Sequence, residues 1–154
     1  MKNSIENRLE SLGIQLPDAP APAANYIPYL VEGGILFISG QISKAGDGGL
    51  ITGKLGADLD IEAGQEAAKV CAINILAQAK AALGDLDRIK NMIKLGGFVN
   101  ATPEFSDHPQ VINGASNFLA EVLGDKGQHT RFAVGVAGLP FNVAVEIDAQ
   151  IAIA

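Results

Sequence analysis

The chain has 154 residues, 48% of them hydrophobic and 18% charged, which excludes intrinsic disorder and suits one domain with a sizeable core. Its 11 basic and 17 acidic residues give a net charge of −6, and only 5% are aromatic with no Trp. The cationic surface and stacking platforms of a nucleic-acid binder are therefore missing, while the single cysteine, Cys71, excludes an intramolecular disulfide or a cysteine-built zinc site.

Ser4 to Leu12 reads as a short helix, capped by Ser4, with Ile5, Leu9 and Leu12 on one face. The start of the chain is too polar for a signal peptide and too acidic for a transit peptide. No apolar run approaches the ~20 residues that span a bilayer. The expected location is the cytoplasm, with no membrane partner. Pro17, Pro20 and Pro22 then force an extended strap. Tyr26 to Val31 reads as a strand, placed at a sheet edge by Pro28. Gly33-Gly34 signals a hairpin turn into Ile35 to Gln41, whose unbroken apolar run predicts cover on both faces. The glycine-rich stretch from Lys44 to Gly56 reads as a long loop, with a short strand around Leu50 to Lys54.

Asp60 to Leu83 is the clearest helix, capped by Asp60 and stopped by Gly84. Its alanines permit close approach to a sheet, and Cys71 at its middle reads as a small buried hydrophobe. Ile89 to Val99 reads as a strand, Asn100 to Gln110 as a loop and Val111 to Leu123 as a second helix. The helix sets Ala115, Phe118, Leu119 and Val122 on one side. Arg131 to Ala137 and Asn142 to Ile153 read as a closing hairpin around Gly138 to Phe141, the second strand alternating from Val143 onward. The order predicts an α+β fold, with two main helices on one face of a mostly antiparallel sheet.

Standard motifs for phosphate binding, serine hydrolysis and zinc hydrolysis are absent. Gly46-Asp47-Gly48-Gly49 opens no helix and reads as a surface loop. His108 and His129 lie in separate predicted loops without a cysteine cluster, so no metal site is expected. Two charged residues stand in apolar strands. Arg131 is either a solvated or ion-paired strand end, or a fork for a carboxylate. Glu146 either shares a solvated sheet face with Asp148 and Gln150, which its parity favours, or is partly buried with a raised pKa.

Arg131-Phe132-Ala133-Val134-Gly135-Val136-Ala137-Gly138-Leu139-Pro140, followed by Val145-Glu146-Ile147-Asp148-Ala149, resembles the C-terminal signature of the RidA/YjgF family. These are imine and enamine deaminases, also called L-PSP endoribonucleases. Phe37-Ile38-Ser39-Gly40-Gln41 resembles the family's Ser-Gly-Gln strand. The resemblance covers residues 21–154, with residues 1–20 as the helix-and-strap extension of a longer branch. It implies a chorismate-mutase-like fold and a homotrimer with clefts between subunits.

Position by position, the resemblance implies that Arg131 binds a carboxylate and Glu146 positions the hydrolytic water. It places Tyr26, Ser39, Gly40, Asn113 and Ala133 around the substrate. Ala133 stands where a deaminase of the family has cysteine, and Gly135 where an acidic residue is usual. The implied reaction converts 2-imino acids to 2-keto acids and ammonia without metal or organic cofactor. Such hydrolysis needs only a held carboxylate and an oriented water. A non-catalytic carboxylate-binding trimer is the alternative. An endoribonuclease fits the acidity and aromatic scarcity poorly.

Overall fold

The protein is described as a computed structural model covering residues 4–22 and 24–154. Its helices are α1 (Ser4–Ser11), α2 (Ile61–Leu83) and α3 (His108–Leu123). Its strands are β1 (Tyr29–Glu32), β2 (Ile35–Ile42), β3 (Ile89–Asn100), β4 (Thr130–Val136) and β5 (Val145–Ile153). Asp60 caps α2 as expected, its side chain accepting from the Ala63 N–H at 2.8 Å. α3 begins three residues earlier than the periodicity suggests, because Pro109 sits in the first turn, where its missing N–H is harmless. β1 is confined to the residues after Pro28.

The sheet runs β1-β2-β5-β3-β4. The β1–β2, β2–β5 and β5–β3 pairings are antiparallel, while β3 and β4 are parallel. The fold is thus α+β with a mixed sheet. The expected closing hairpin does not form: β3 lies between β4 and β5. Parallel neighbours need a long crossover, and α3 supplies it between β3 and β4. The turn expected to close the hairpin is instead a tight 3-10 segment at Pro140–Asn142. Phe141 (φ 57°) and Asn142 (φ 58°) there are both left-handed.

One sheet face is covered by α2 and α3. Leu36, Ile38, Leu95, Ile147 and Ile151 pack there with Cys71, Ile75, Ile112 and Leu119. Cys71 is fully buried, its thiol donating to the Val145 carbonyl at 3.4 Å, and burial pushes its pKa well up. α1 joins the same core through Ile5 and Leu9. The Asp87 carboxylate holds its start, accepting from the N–H groups of Ser4 (2.8 Å) and Ile5 (3.2 Å).

The other face is open. β2 alternates rather than being covered on both sides, and Phe37, Phe132 and Val134 are exposed. Phe98 and Phe132 meet edge-on there, with ring centroids 5.3 Å apart. Among the described residues no helix is long and apolar enough to cross a membrane.

Candidate active site

The regular β2–β5 register breaks between Ile38 and Gln41. A bulge at this point re-aims the chain, and Gly40 lies directly against the Glu146 carboxylate. A Cβ at position 40 would collide with Glu146 Oε2. Glu146 is half-buried on the open face, two residues from Asp148. Burial, and secondarily the Asp148 charge, raise its pKa above the ordinary glutamate value. The sequence reading that favoured a solvated carboxylate therefore gives way to the partly buried one.

Glu146 and Gly40 line a pocket of about 340 Å³ together with Tyr26, Pro140 and Phe141. Ser39 is not in its wall but helps to build it. Its hydroxyl donates to the Ile27 carbonyl at 2.8 Å and its N–H to the Pro28 carbonyl at 2.9 Å. These bonds fix the segment beside Tyr26 against β2.

Arg131 lies elsewhere. It pairs in register with Leu95, which pairs with Ala149 on the helix-covered side, whereas Glu146 pairs with Phe98 on the open side. The two residues of the expected pair thus sit on opposite faces of one sheet. The Arg131 side chain reaches α3, where Nη1 donates to Ser116 Oγ at 3.0 Å and Nη2 to the Pro109 carbonyl at 3.1 Å. Ser116 Oγ is also 2.8 Å from His129 Nε2, and His129 Nδ1 is 2.6 Å from the Gly127 carbonyl. A carbonyl only accepts, so Nδ1 donates to Gly127; in the neutral ring Nε2 then accepts the Ser116 O–H, and the serine oxygen accepts from Arg131. Among the described residues, three guanidinium N–H groups remain beyond the two used here.

Ala133 follows Arg131 on the same strand face. Next comes Gly135, where the His108 ring fills the space of a side chain. Asn113 is half-buried on α3, one turn before Ser116. Sequence reading passed over Ser116 and weighed His129 only as a metal ligand. His129 precedes Arg131 by two residues, so strand parity puts both on one face, a signal that could have found it. Gln41 and Asn74, also in the pocket wall, gave no such signal. Among the described residues no three metal-ligating side chains converge.

The pattern of the family described as "YjgF/chorismate mutase-like, putative endoribonuclease" matches residues 6–149. This chain belongs to the YjgF/RidA family. Protein TCP17 of Trypanosoma cruzi is 50% identical over 148 residues, covering 96% of this chain and 92% of the relative. Among solved structures, the protein Atu1372 of Agrobacterium tumefaciens, described as of unknown function, is 51% identical. It superposes with a TM-score of 0.90 over 98% of this chain and 94% of its own. A Shewanella oneidensis MR-1 protein described as a "putative endoribonuclease" is 34% identical, with a TM-score of 0.94 over 98% and 100% of the two chains. The chorismate-mutase-like fold of the YjgF/RidA family thus extends over nearly the whole chain.

Proposed function

We propose that this YjgF/RidA protein hydrolyses 2-imino acids and their enamine tautomers to 2-keto acids and ammonia. The observation that carries the reading is Glu146. A carboxyl in a pocket, with its pKa raised by burial, is suited to take a proton and return it. Arg131 supplies the complementary part, an oriented guanidinium with N–H groups left for a substrate carboxylate.

Because Arg131 and Glu146 lie on opposite faces, one subunit does not close both around one small ligand. A homotrimer resolves this by setting Arg131 of one subunit across a cleft from Glu146, Tyr26 and Gly40 of the next. The exposed Phe132 and Val134, beside Phe98, support such assembly, since a clustered apolar face marks an interaction surface. In the cleft Arg131 holds the carboxylate, flanked by Asn113 and Ala133. Glu146 takes a proton from water as the water oxygen bonds to C2, and the C=N π-pair moves onto nitrogen. Nitrogen then takes that proton back from Glu146 and a second from solvent, the C–N bond breaks as ammonia leaves, and the hydroxyl gives its proton to solvent as the carbonyl forms. The products are the 2-keto acid and ammonia, and the steps draw on no redox partner.

The test generates imines in situ with an amino-acid oxidase and follows keto-acid release. Acceleration over the uncatalysed rate is expected. Tight binding of 2-keto acids without acceleration would establish the non-catalytic binder instead. Light scattering should give a trimer mass, and a monomer at micromolar concentration would remove the shared cleft.

A further inference from the structure

We infer that the pocket beneath the N-terminal strap receives the substrate's side chain, and that it selects branched or aromatic 2-imino acids over those derived from alanine or 2-aminobutyrate. The inference rests on the proposed deaminase reading and concerns the part of the substrate that Arg131 and Glu146 leave unassigned. If the carboxylate goes to Arg131 and water arrives from Glu146, C2 has one substituent left besides the departing nitrogen.

The space for that substituent is large, and a little more than half of its lining is apolar. Pro20, Pro22, Leu50 and Phe141 line the pocket with Tyr26. Its volume of about 340 Å³ holds about ten waters at roughly 30 Å³ each, and a side-chain carbon takes about the space of one water. A methyl or ethyl group would leave most of the pocket to water. Isobutyl and benzyl groups displace much more of it.

The donors of the two wall amides are already engaged. Gln41 Nε2 donates to the Ser39 carbonyl at 2.9 Å, and Gln41 Oε1 lies 3.3 Å from Gln78 Nε2. Asn74 Nδ2 donates to the carbonyls of Lys44 (2.9 Å) and Ile42 (3.3 Å). With these donors engaged, the side of the wall made by Pro20, Pro22, Leu50 and Phe141 offers a side chain packing, while Lys44 and Glu146 mark the polar side. That apolar side favours carbon over hydroxyl or amide groups.

The strap is held as a wall, not draped loosely. Gln78, 1% exposed, donates through Nε2 to the Pro20 carbonyl at 2.7 Å. Among the described residues its Oε1 is buried without a partner. Turning the amide over would set Oε1 against both Pro20 O and Gln41 Oε1, so the strap contact fixes the orientation. One glutamine therefore ties the extension to the strand that carries Gly40.

The test measures kcat/KM for imines generated from alanine, 2-aminobutyrate, leucine and phenylalanine. Burying a carbon contributes about fourfold, so the leucine-derived imine should exceed the alanine-derived one by at least about tenfold. Ala21→Phe, which crowds the strap wall, and Phe141→Ala, which removes an exposed ring, should each lower that ratio several-fold. Phe141→Ala serves if Ala21→Phe fails to fold. A ratio near one in the wild type, or a ratio unmoved in a folded variant, overturns the assignment. If no imine is accelerated, the deaminase reading fails by itself, and calorimetry with 4-methyl-2-oxopentanoate and pyruvate decides the pocket. About tenfold tighter binding of the former supports it; equal or undetectable affinity overturns it.

Discussion

Arg131 and Glu146 lie on opposite faces of one sheet and are held by opposite means. Arg131 is tied down by Ser116 and the Pro109 carbonyl, with His129 fixing the serine in turn. Glu146 is defined by space: a glycine that leaves room for it, a bulge beside it and a pocket around it. The cation keeps its charge anywhere, so the fold controls only its direction. The carboxyl changes charge with its surroundings, so the fold controls its solvation. Pre-organisation thus takes two forms, bonds for a permanent charge and burial for a titratable one.

The largest effect expected from breaking the comparison is at the bonded end. Arg131→Ala removes charge-assisted hydrogen bonds of about 1.5–3 kcal/mol each. It should lower kcat/KM by about 100-fold or more, with circular dichroism unchanged. Arg131→Lys keeps the charge without the planar fork and should recover only part of the loss. Wild-type turnover and keto-acid affinity in Arg131→Ala would refute the assignment.

At the buried end, Glu146→Gln should leave ligand affinity nearly intact while kcat falls about 100-fold or more, the usual reach of a general acid or base. It should also raise the melting temperature at neutral pH. The pKa of Glu146 is raised in the fold, so the folded state binds its proton more tightly than the unfolded chain does. This group's contribution to wild-type stability is therefore lost as pH rises through the raised pKa. The Gln variant should lack that dependence in a thermal-melt series across pH.

Gly40→Ala sharpens the spatial side. The added methyl group displaces the carboxylate without changing any charge. A kcat loss of about tenfold with a shifted pH profile is expected; an unchanged profile would mean that the close approach is incidental. The smallest effect belongs to Ser116→Ala, which frees one end of the fork. Losing a hydrogen bond worth about 1 kcal/mol should raise KM about fivefold and spare kcat. Ser116→Thr should restore it, a rescue that a purely structural role of the helix would not predict.

Periodicity and caps made most elements readable. Asp60 and Gly84 bounded α2, and the alternation from Val143 marked β5. The pairing of β4 was not readable, because apolar strands around a Gly-Leu-Pro-Phe turn carry a hairpin pattern whether or not another strand intervenes. Only the crossover through α3 decides it. Within the candidate site, Arg131 and Glu146 stood out as charges in apolar strands. The burial of Glu146 was hidden because it depends on a distant segment, the bulge at Gly40, and parity alone pointed to solvent. Ser116 was hidden for a similar reason: a serine within an amphipathic helix carries no mark of the arginine it will meet.

The left-handed pair at Phe141 and Asn142 bears on engineering. Asparagine tolerates that conformation, but a bulky residue is held there at a cost of about 1–3 kcal/mol. Glycine at position 141 would relieve it. A library ranked by heat resistance alone would therefore enrich Phe141→Gly. The winners would be sturdier proteins that had discarded an aromatic wall of the pocket, so thermal selection of this scaffold needs a parallel ligand screen.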